Sequence, residues 1–240
     1  MMIRHAFAIS LPNIRLDFSQ KTFREEYLLV AGGREPAASW LHEAAKERVL
    51  FGIDKGADAC RAAGALPSLY IGDSDSVNPD TLEWINNAHV ETKRFPTEKD
   101  KTDTQLALDL LAEKHDAFVI LSGGFGGRFD HAFSLLYALV GTNLHGCIAD
   151  DCEFLLILRD EDAVTLHLSS IPKSISLLPL SPVCSGVSID GVHWPLTGAT
   201  LRQHEPYAIS NRLSSSDHRI ANKNSKGILA LYLCWDEAAL

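Results

Sequence analysis

The chain has 240 residues, 46% of them apolar, and carries 22 Lys plus Arg against 31 Asp plus Glu, a formal charge of −9. That length buries one substantial core or two modest ones. An acidic surface repels polyphosphate backbones and anionic lipid, so no nucleic acid and no membrane is expected as partner; a small anionic substrate stays open, because a local cation or a metal overrides the global sign.

The N-terminal stretch MMIRHAFAISLPNIRLDF is a short apolar patch broken by Pro12 and Asn13. It lacks the long apolar run and cleavage site of a secretory leader. No run in the chain approaches the ~20 apolar residues of a membrane-spanning helix. The five cysteines, at 60, 147, 152, 184 and 234, show neither CxxC nor zinc-ligand spacing. They read as small buried hydrophobes in a reducing compartment, and a cytoplasmic location is expected.

From about Tyr27 the sequence alternates short apolar runs with amphipathic ones. YLLVA (27–31), RVLFGI (48–53), SLYIG (68–72), AHVET (88–92) and AFVILS (117–122) read as strands. Residues 37–47, 56–63, 79–87, 102–115 and 129–141 read as helices. Strands alternating with helices predict crossover units and a mainly parallel sheet covered on both faces. Thr102 and Gln105 fit a capping box ahead of Leu106, Leu110 and Leu111. Phe129, Phe133, Leu136 and Val140 fall on one helical face, the expected buried one.

Beyond Cys147 the texture changes. FLLIL, AVTLHL, SISLLPL, CSGVSI, ATL, YAIS, HRIA and ILALYL follow one another between Pro, Gly, Ser and Asp, without helical periodicity. Such spacing predicts an antiparallel sandwich or barrel. The expected organisation is an α/β domain over residues 1–147 and an all-β sandwich over 148–240, with the boundary near 146–152.

Three segments carry candidate chemistry. Gly72-Asp73-Ser74-Asp75-Ser76 follows a strand, at the carboxyl edge of the sheet where ligands collect. Two carboxylates two residues apart can converge on one hard cation such as Mg2+, although a solvated turn has the same composition. Glu98-Lys99-Asp100-Lys101-Thr102-Asp103 precedes a helix; Lys99 or Lys101 could neutralise phosphate and Asp100 or Asp103 could add a metal ligand. Acidic residues also favour a helix start with no ligand at all. Ser122-Gly123-Gly124-Phe125-Gly126-Gly127-Arg128-Phe129-Asp130 joins a strand to a helix, and a simple turn seldom needs four glycines in five positions. A glycine loop lets backbone N–H groups approach phosphate, and Arg128 can grip it bidentately. Together the three segments suit phosphoryl or diphosphoryl transfer better than acyl or hydride chemistry.

GDSDS, EKDKTD and GGFGGRFD, in this order and at these separations, resemble the signature segments of the thiamine pyrophosphokinases. Trp194-Pro195-Leu196 and Ser210-Asn211 are similar to that family's tryptophan segment and Ser-Asn motif. The similarity runs from about Gly52 to the C-terminus; residues 1–19 have no counterpart, and Asp54-Lys55-Gly56-Ala57 stands where the family usually has Asp-Gly-Gly-Ala. The resemblance implies an enzyme moving diphosphate from the co-substrate ATP to the hydroxyl of thiamine, with release of AMP. It implies Mg2+ on Asp73, Asp75 and Asp103, with Asp100 a further ligand. Lys101, Thr102, Gly123, Gly124, Gly126, Gly127 and Arg128 would hold phosphates, and Asp130 would orient Arg128 or the hydroxyl. Trp194 would stack on thiamine, with Ser210 and Asn211 bonding its pyrimidine edge; taken alone, Trp194 reads as an ordinary core aromatic. A homodimer is implied, with active sites shared between subunits. The alternatives are a diphosphotransferase of the same fold acting on another alcohol, such as a pterin, and a nucleotide-binding protein without catalysis.

Overall fold

The computed structural model describes residues 8–73, 75–95, 100–214 and 216–235. In chain order the strands and helices are β1 (Ala8–Leu11), β2 (Ile14–Phe18), β3 (Glu25–Val30), α1 (Ala38–Ala44), β4 (Val49–Ile53), α2 (Gly56–Ala62), β5 (Leu69–Ile71), α3 (Pro79–Asn87), β6 (Glu91–Lys93), α4 (Asp103–Asp109), β7 (Ala117–Ser122), α5 (Phe129–Val140) and β8 (His145–Ala149). Among the described residues seven strands follow: β9 (Glu153–Leu158), β10 (Asp162–Leu168), β11 (Ser174–Pro179), β12 (Val183–Asp190), β13 (Leu196–Arg202), β14 (Arg219–Asn224) and β15 (Leu229–Cys234). They divide into two compact units, Arg24–Asp151 and the described parts of Met1–Phe23 and Cys152–Leu240.

In Arg24–Asp151 the strands pair in the order β8-β7-β3-β4-β5-β6, all parallel. The central strands carry unbroken apolar runs, and all six residues of β7 (AFVILS) are buried. This pattern belongs to a sheet covered on both faces, as the alternation of elements predicts. Local signals set the helix starts. Asn78 accepts the Asp80 N–H at 2.9 Å with Pro79 in the first turn of α3. Thr102 and Gln105 exchange both bonds of a capping box at α4.

Three expectations change here. The strand expected over 88–92 begins only at Glu91, because Ala88 ends α3 and His89 turns left-handed at φ 54°. α4 stops at Asp109 and buries Ala107 and Leu108, while Leu110 is exposed. On α5 the buried residues are Leu135 and Leu139; Phe129 is 80% and Phe133 51% exposed, so the stripe 129-133-136-140 is not the core face. The segment FDHAFSLLYALV is apolar around most of its circumference, and periodicity alone cannot choose between its faces. Phe129, Phe133 and Tyr137 instead form a row of tilted rings with centroids 5.8 and 4.7 Å apart.

The other unit contains no described helix, and its strands pair antiparallel in two sets. One runs β1-β2-β10-β14-β12-β13, the other β11-β15-β9. The expectation that residues 1–19 belong to the α/β domain is corrected: β2 pairs with β10, from Phe18–Val164 to Ile14–Leu168. Ile9, Leu11, Ile14, Leu16 and Phe18 are buried, while Ser10 and Arg15 between them are exposed. Such alternation suits a sheet with one open face, which the two-sided parallel sheet does not offer. All five cysteines are free thiols, four of them buried, and burial pushes Cys60 up to about 12.

Candidate active site

The loops of the α/β unit converge at the carboxyl ends of its parallel strands. Gly72 follows β5, where a Cβ would lie 2.1 Å from Asp54 Oδ1. Any side chain there would have to displace the Asp54 carboxylate. The Asp75 N–H then donates to Asp73 Oδ1 at 3.1 Å, curling the loop on itself. The Asp75 carboxyl is raised above the ordinary carboxylate range, first by hydrogen bonding with the Asp73 side chain, then by its charge, with a weaker push from Asp103. Asp103, first residue of α4, thus joins the pair from a loop that follows β6. Asp73 and Asp75 share one turn, and Asp103 acts on Asp75 through its charge at longer range. Carboxylate oxygens are the donors a hard divalent cation such as Mg2+ takes.

The remaining residues of the two acidic segments are placed differently. Asp100 is exposed ahead of the helix. Lys101, just ahead of α4, pairs with Asp109 at the end of that helix at 2.6 Å. The Thr102 hydroxyl is committed to the cap of α4. Ser74, Glu98 and Lys99 lie outside the described residues. Lys55, where the family usually has Gly, sits at φ −55°, a conformation open to any side chain. Asp54 before it takes the left-handed φ of 46°, and the glycine that the loop needs is Gly56, whose Cβ would lie 1.9 Å from Val30 O.

The glycine loop after β7 packs against the loop after β3. Gly33 N donates to Gly123 O at 2.9 Å and Arg34 N to Phe125 O at 2.7 Å. Arg34 reaches the fully buried Asp150 with Nε at 2.9 Å and Nη2 at 2.6 Å, and its guanidinium stands 5.7 Å over the Phe125 ring. Arg34 and Asp150 fix the loop's underside, since a buried charge pair holds only with close geometry. Neither was singled out from sequence. The available signal was the tripeptide Gly32-Gly33-Arg34 after one strand, matching Gly126-Gly127-Arg128 after its neighbour. At the outer end Arg128 is locked to Asp130, Nε to Oδ1 at 3.0 Å and Nη2 to Oδ2 at 2.5 Å. Asp130 thereby orients the guanidinium, and that pairing lowers its own carboxyl pKa.

The glycines differ in what they tolerate. At Gly123 (φ 70°) a Cβ would stand 2.0 Å from Ala31 O, whereas at Gly127 (φ 64°) it meets nothing within 4 Å. Gly127→Ala is expected to cost about 1–2 kcal/mol, the left-handed penalty alone. Gly123→Ala must also displace backbone and is expected to cost more than about 3 kcal/mol. Urea denaturation of both variants measures the difference, and equal losses would contradict this packing.

In the β unit, Trp194 is 54% exposed, so it is not a core aromatic. Its indole stands edge-on to His193 at 4.5 Å. Asn211, seventeen residues on, holds both backbone groups of Trp194: Oδ1 accepts its N–H at 3.1 Å and Nδ2 donates to its carbonyl at 2.8 Å. Asn211 Oδ1 also accepts the Arg212 N–H at 2.9 Å. That amide holds the tryptophan backbone in place. Ser210 beside it is left-handed at φ 59°.

Both units match known sequence families. Residues 41–148 match the thiamin pyrophosphokinase catalytic domain and residues 163–229 the thiamin pyrophosphokinase vitamin B1 binding domain. The thiamine pyrophosphokinase of Bacillus subtilis is 30% identical over 207 residues, 85% of this chain and 95% of that protein. The chain belongs to the thiamin pyrophosphokinase family. The crystal structure of thiamine pyrophosphokinase from Bacillus subtilis superposes with TM-score 0.76 at 26% identity, covering 89% of this chain and all of that one. Thiamin pyrophosphokinase from Candida albicans, at 16% identity, shares the fold with TM-score 0.68 over 87% of this chain and 90% of its own.

Proposed function

We propose that this chain is an enzyme that transfers diphosphate from ATP to the hydroxyl of thiamine, giving thiamine diphosphate and AMP. The observation that carries this reading is the Asp73–Asp75 turn that follows β5 at the carboxyl edge of a parallel sheet, in a chain whose residues 41–148 match the thiamin pyrophosphokinase catalytic domain. The thiamine oxygen attacks the β-phosphorus, and the bond from that phosphorus to the oxygen bridging to the α-phosphorus breaks. Catalysis of such a step is positioning plus charge neutralisation. Magnesium held by Asp73, Asp75 and Asp103, with Asp100 as a further ligand, would supply positive charge to the triphosphate. Arg128, held by Asp130, grips phosphate oxygens, and the 123–127 loop offers backbone N–H groups. Trp194 presents an exposed π-face to the cationic ring system of thiamine, a contact of ~0.5–2 kcal/mol, with Ser210 and Asn211 beside it.

Two finer readings go with this. The β unit acts as a sandwich of its two sheets and, as a homodimer, each active site takes its carboxylates from one subunit and its tryptophan from the other. Support comes from the exposed ring row of α5 and from exposed Trp194, Tyr207 and Ile209. No described helix is long and apolar enough to cross a membrane. With five free thiols, this supports a cytoplasmic location.

The direct test is formation of AMP and thiamine diphosphate from ATP, Mg2+ and thiamine, beside a panel of other alcohols including a pterin. Turnover of another acceptor in preference to thiamine overturns the reading. Arg128→Ala is expected to raise the KM for ATP roughly tenfold and to lower kcat, with the thiamine KM within about twofold of wild type. Steady-state kinetics with each substrate varied in turn checks it; unchanged ATP kinetics would leave the loop a structural turn.

A further inference from the structure

Ser176 was read from sequence only as part of a strand. On one edge β11 pairs regularly with β15, Ser176 opposite Tyr232. On its other edge it meets the segment that carries the Ser-Asn motif. Ile175 and Asn211 exchange backbone bonds, Ile175 N to Asn211 O at 3.0 Å and Asn211 N to Ile175 O at 2.8 Å. Leu177 N, however, donates to Ala208 O at 2.8 Å, not to Ile209 as a regular ladder requires. One extra residue is therefore accommodated on the motif side, which is a β-bulge, and Ser210 takes the left-handed conformation there. The Ser210 N–H, with no ladder carbonyl to meet, donates to Ser176 Oγ at 3.1 Å, and Ser176 is only 7% exposed. Asn211, the next residue, then clamps the backbone of Trp194.

We propose that Ser176 is a positioning residue for the thiamine side of the active site: its hydroxyl holds Ser210 in the bulge, and Ser210 and Asn211 in turn set the Trp194 indole. This rests on the reading above, in which Trp194 receives thiamine. Non-glycine residues with positive φ persist only where their surroundings hold them, and Ser176 is the side chain that does so here. A serine in the strand supplies the acceptor that a regular partner strand would supply by its backbone.

The test compares threonine and valine at 176, which have nearly the same shape and differ by the hydroxyl, with Ser176→Ala and Trp194→Ala alongside. Ser176→Val and Ser176→Ala are expected to raise the KM for thiamine roughly five- to twentyfold, as an unmet N–H shifts the bulge, with the KM for ATP unchanged. Ser176→Thr is expected to stay within about twofold of wild type. A purely structural serine would lower the melting temperature without separating the two KM values. Equal thiamine KM in the threonine and valine variants, or folded protein from threonine alone, overturns the proposal. A Trp194→Ala variant with normal thiamine KM overturns the underlying reading instead, and the proposal with it; a raised KM there beside a normal one in Ser176→Val sinks the proposal alone.

Discussion

Asparagine at position 73 or 75 is expected to lower turnover by at least roughly a hundredfold while the fold survives. Each replacement keeps the shape of the side chain and deletes one charge. The two carboxylates share a loop turn, and Asp103 adds its charge to theirs. Stability should move the other way. The Asp75 carboxyl is raised in the folded protein, so its linkage favours folding below its ordinary pKa and is lost as pH rises through the raised value. In the chelated, metal-free enzyme the melting temperature of the wild type relative to Asp75→Asn should therefore rise as pH falls from neutral. This comes on top of the opposite drift that both share from lowered carboxyls such as Glu25 and Asp130. Activity assays with Mg2+ and thermal melts with a chelator measure the two effects separately. Near-normal turnover in both variants would remove the metal assignment, and a collapsed fold would make the cluster structural.

A second large effect is expected from mixing two dead variants. Asp73→Asn lacks a carboxylate and Trp194→Ala lacks the stacking face. If a site draws its carboxylates from one subunit and its indole from the other, one of the two sites in a mixed dimer is wild type throughout. Random pairing of equal amounts makes half the dimers mixed, so activity should return to about a quarter of wild type. If Trp194 serves its own subunit, no intact site forms and activity stays near zero. Subunit exchange is verified independently, with differently tagged copies. Recovery decides for the shared site, and its absence under confirmed exchange decides against it.

The two fold classes were legible because each leaves a period in the sequence: unbroken apolar runs between helices for the parallel sheet, short alternating runs between turn residues for the antiparallel ones. The loops after β5 and β7 were legible as candidate sites because glycine and aspartate cluster where strands end. Other features left weaker traces. Phe129 and Phe133 were read as core since a stripe on a helix apolar nearly all round does not say which side packs. The pairing of Lys101 with Asp109 leaves little trace in the sequence, because local partners three to eight residues away compete for such groups. Asn211 also holds the backbone of Trp194, and no pattern along the chain announces a partner seventeen residues away. Arg34 and Asp150 are 116 residues apart, beyond what periodicity or local motif can join.

The pairing of β2 with β10 sets an order of events during synthesis. Phe18 meets Val164, so 146 residues separate partners on neighbouring strands. A ribosome adding about 5–20 residues per second makes β10 roughly 7–30 s after β2. For that interval the hairpin waits with Ile14, Leu16 and Phe18 uncovered, while everything needed for the parallel sheet emerges and can fold. The α/β unit is thus able to finish first, as a body whose two ends both lead into the unfinished β unit. The nascent hairpin, a short apolar edge seeking a strand, is the segment in most need of shielding by a chaperone, and removing it would leave β10 as a bare edge open to pairing with another chain.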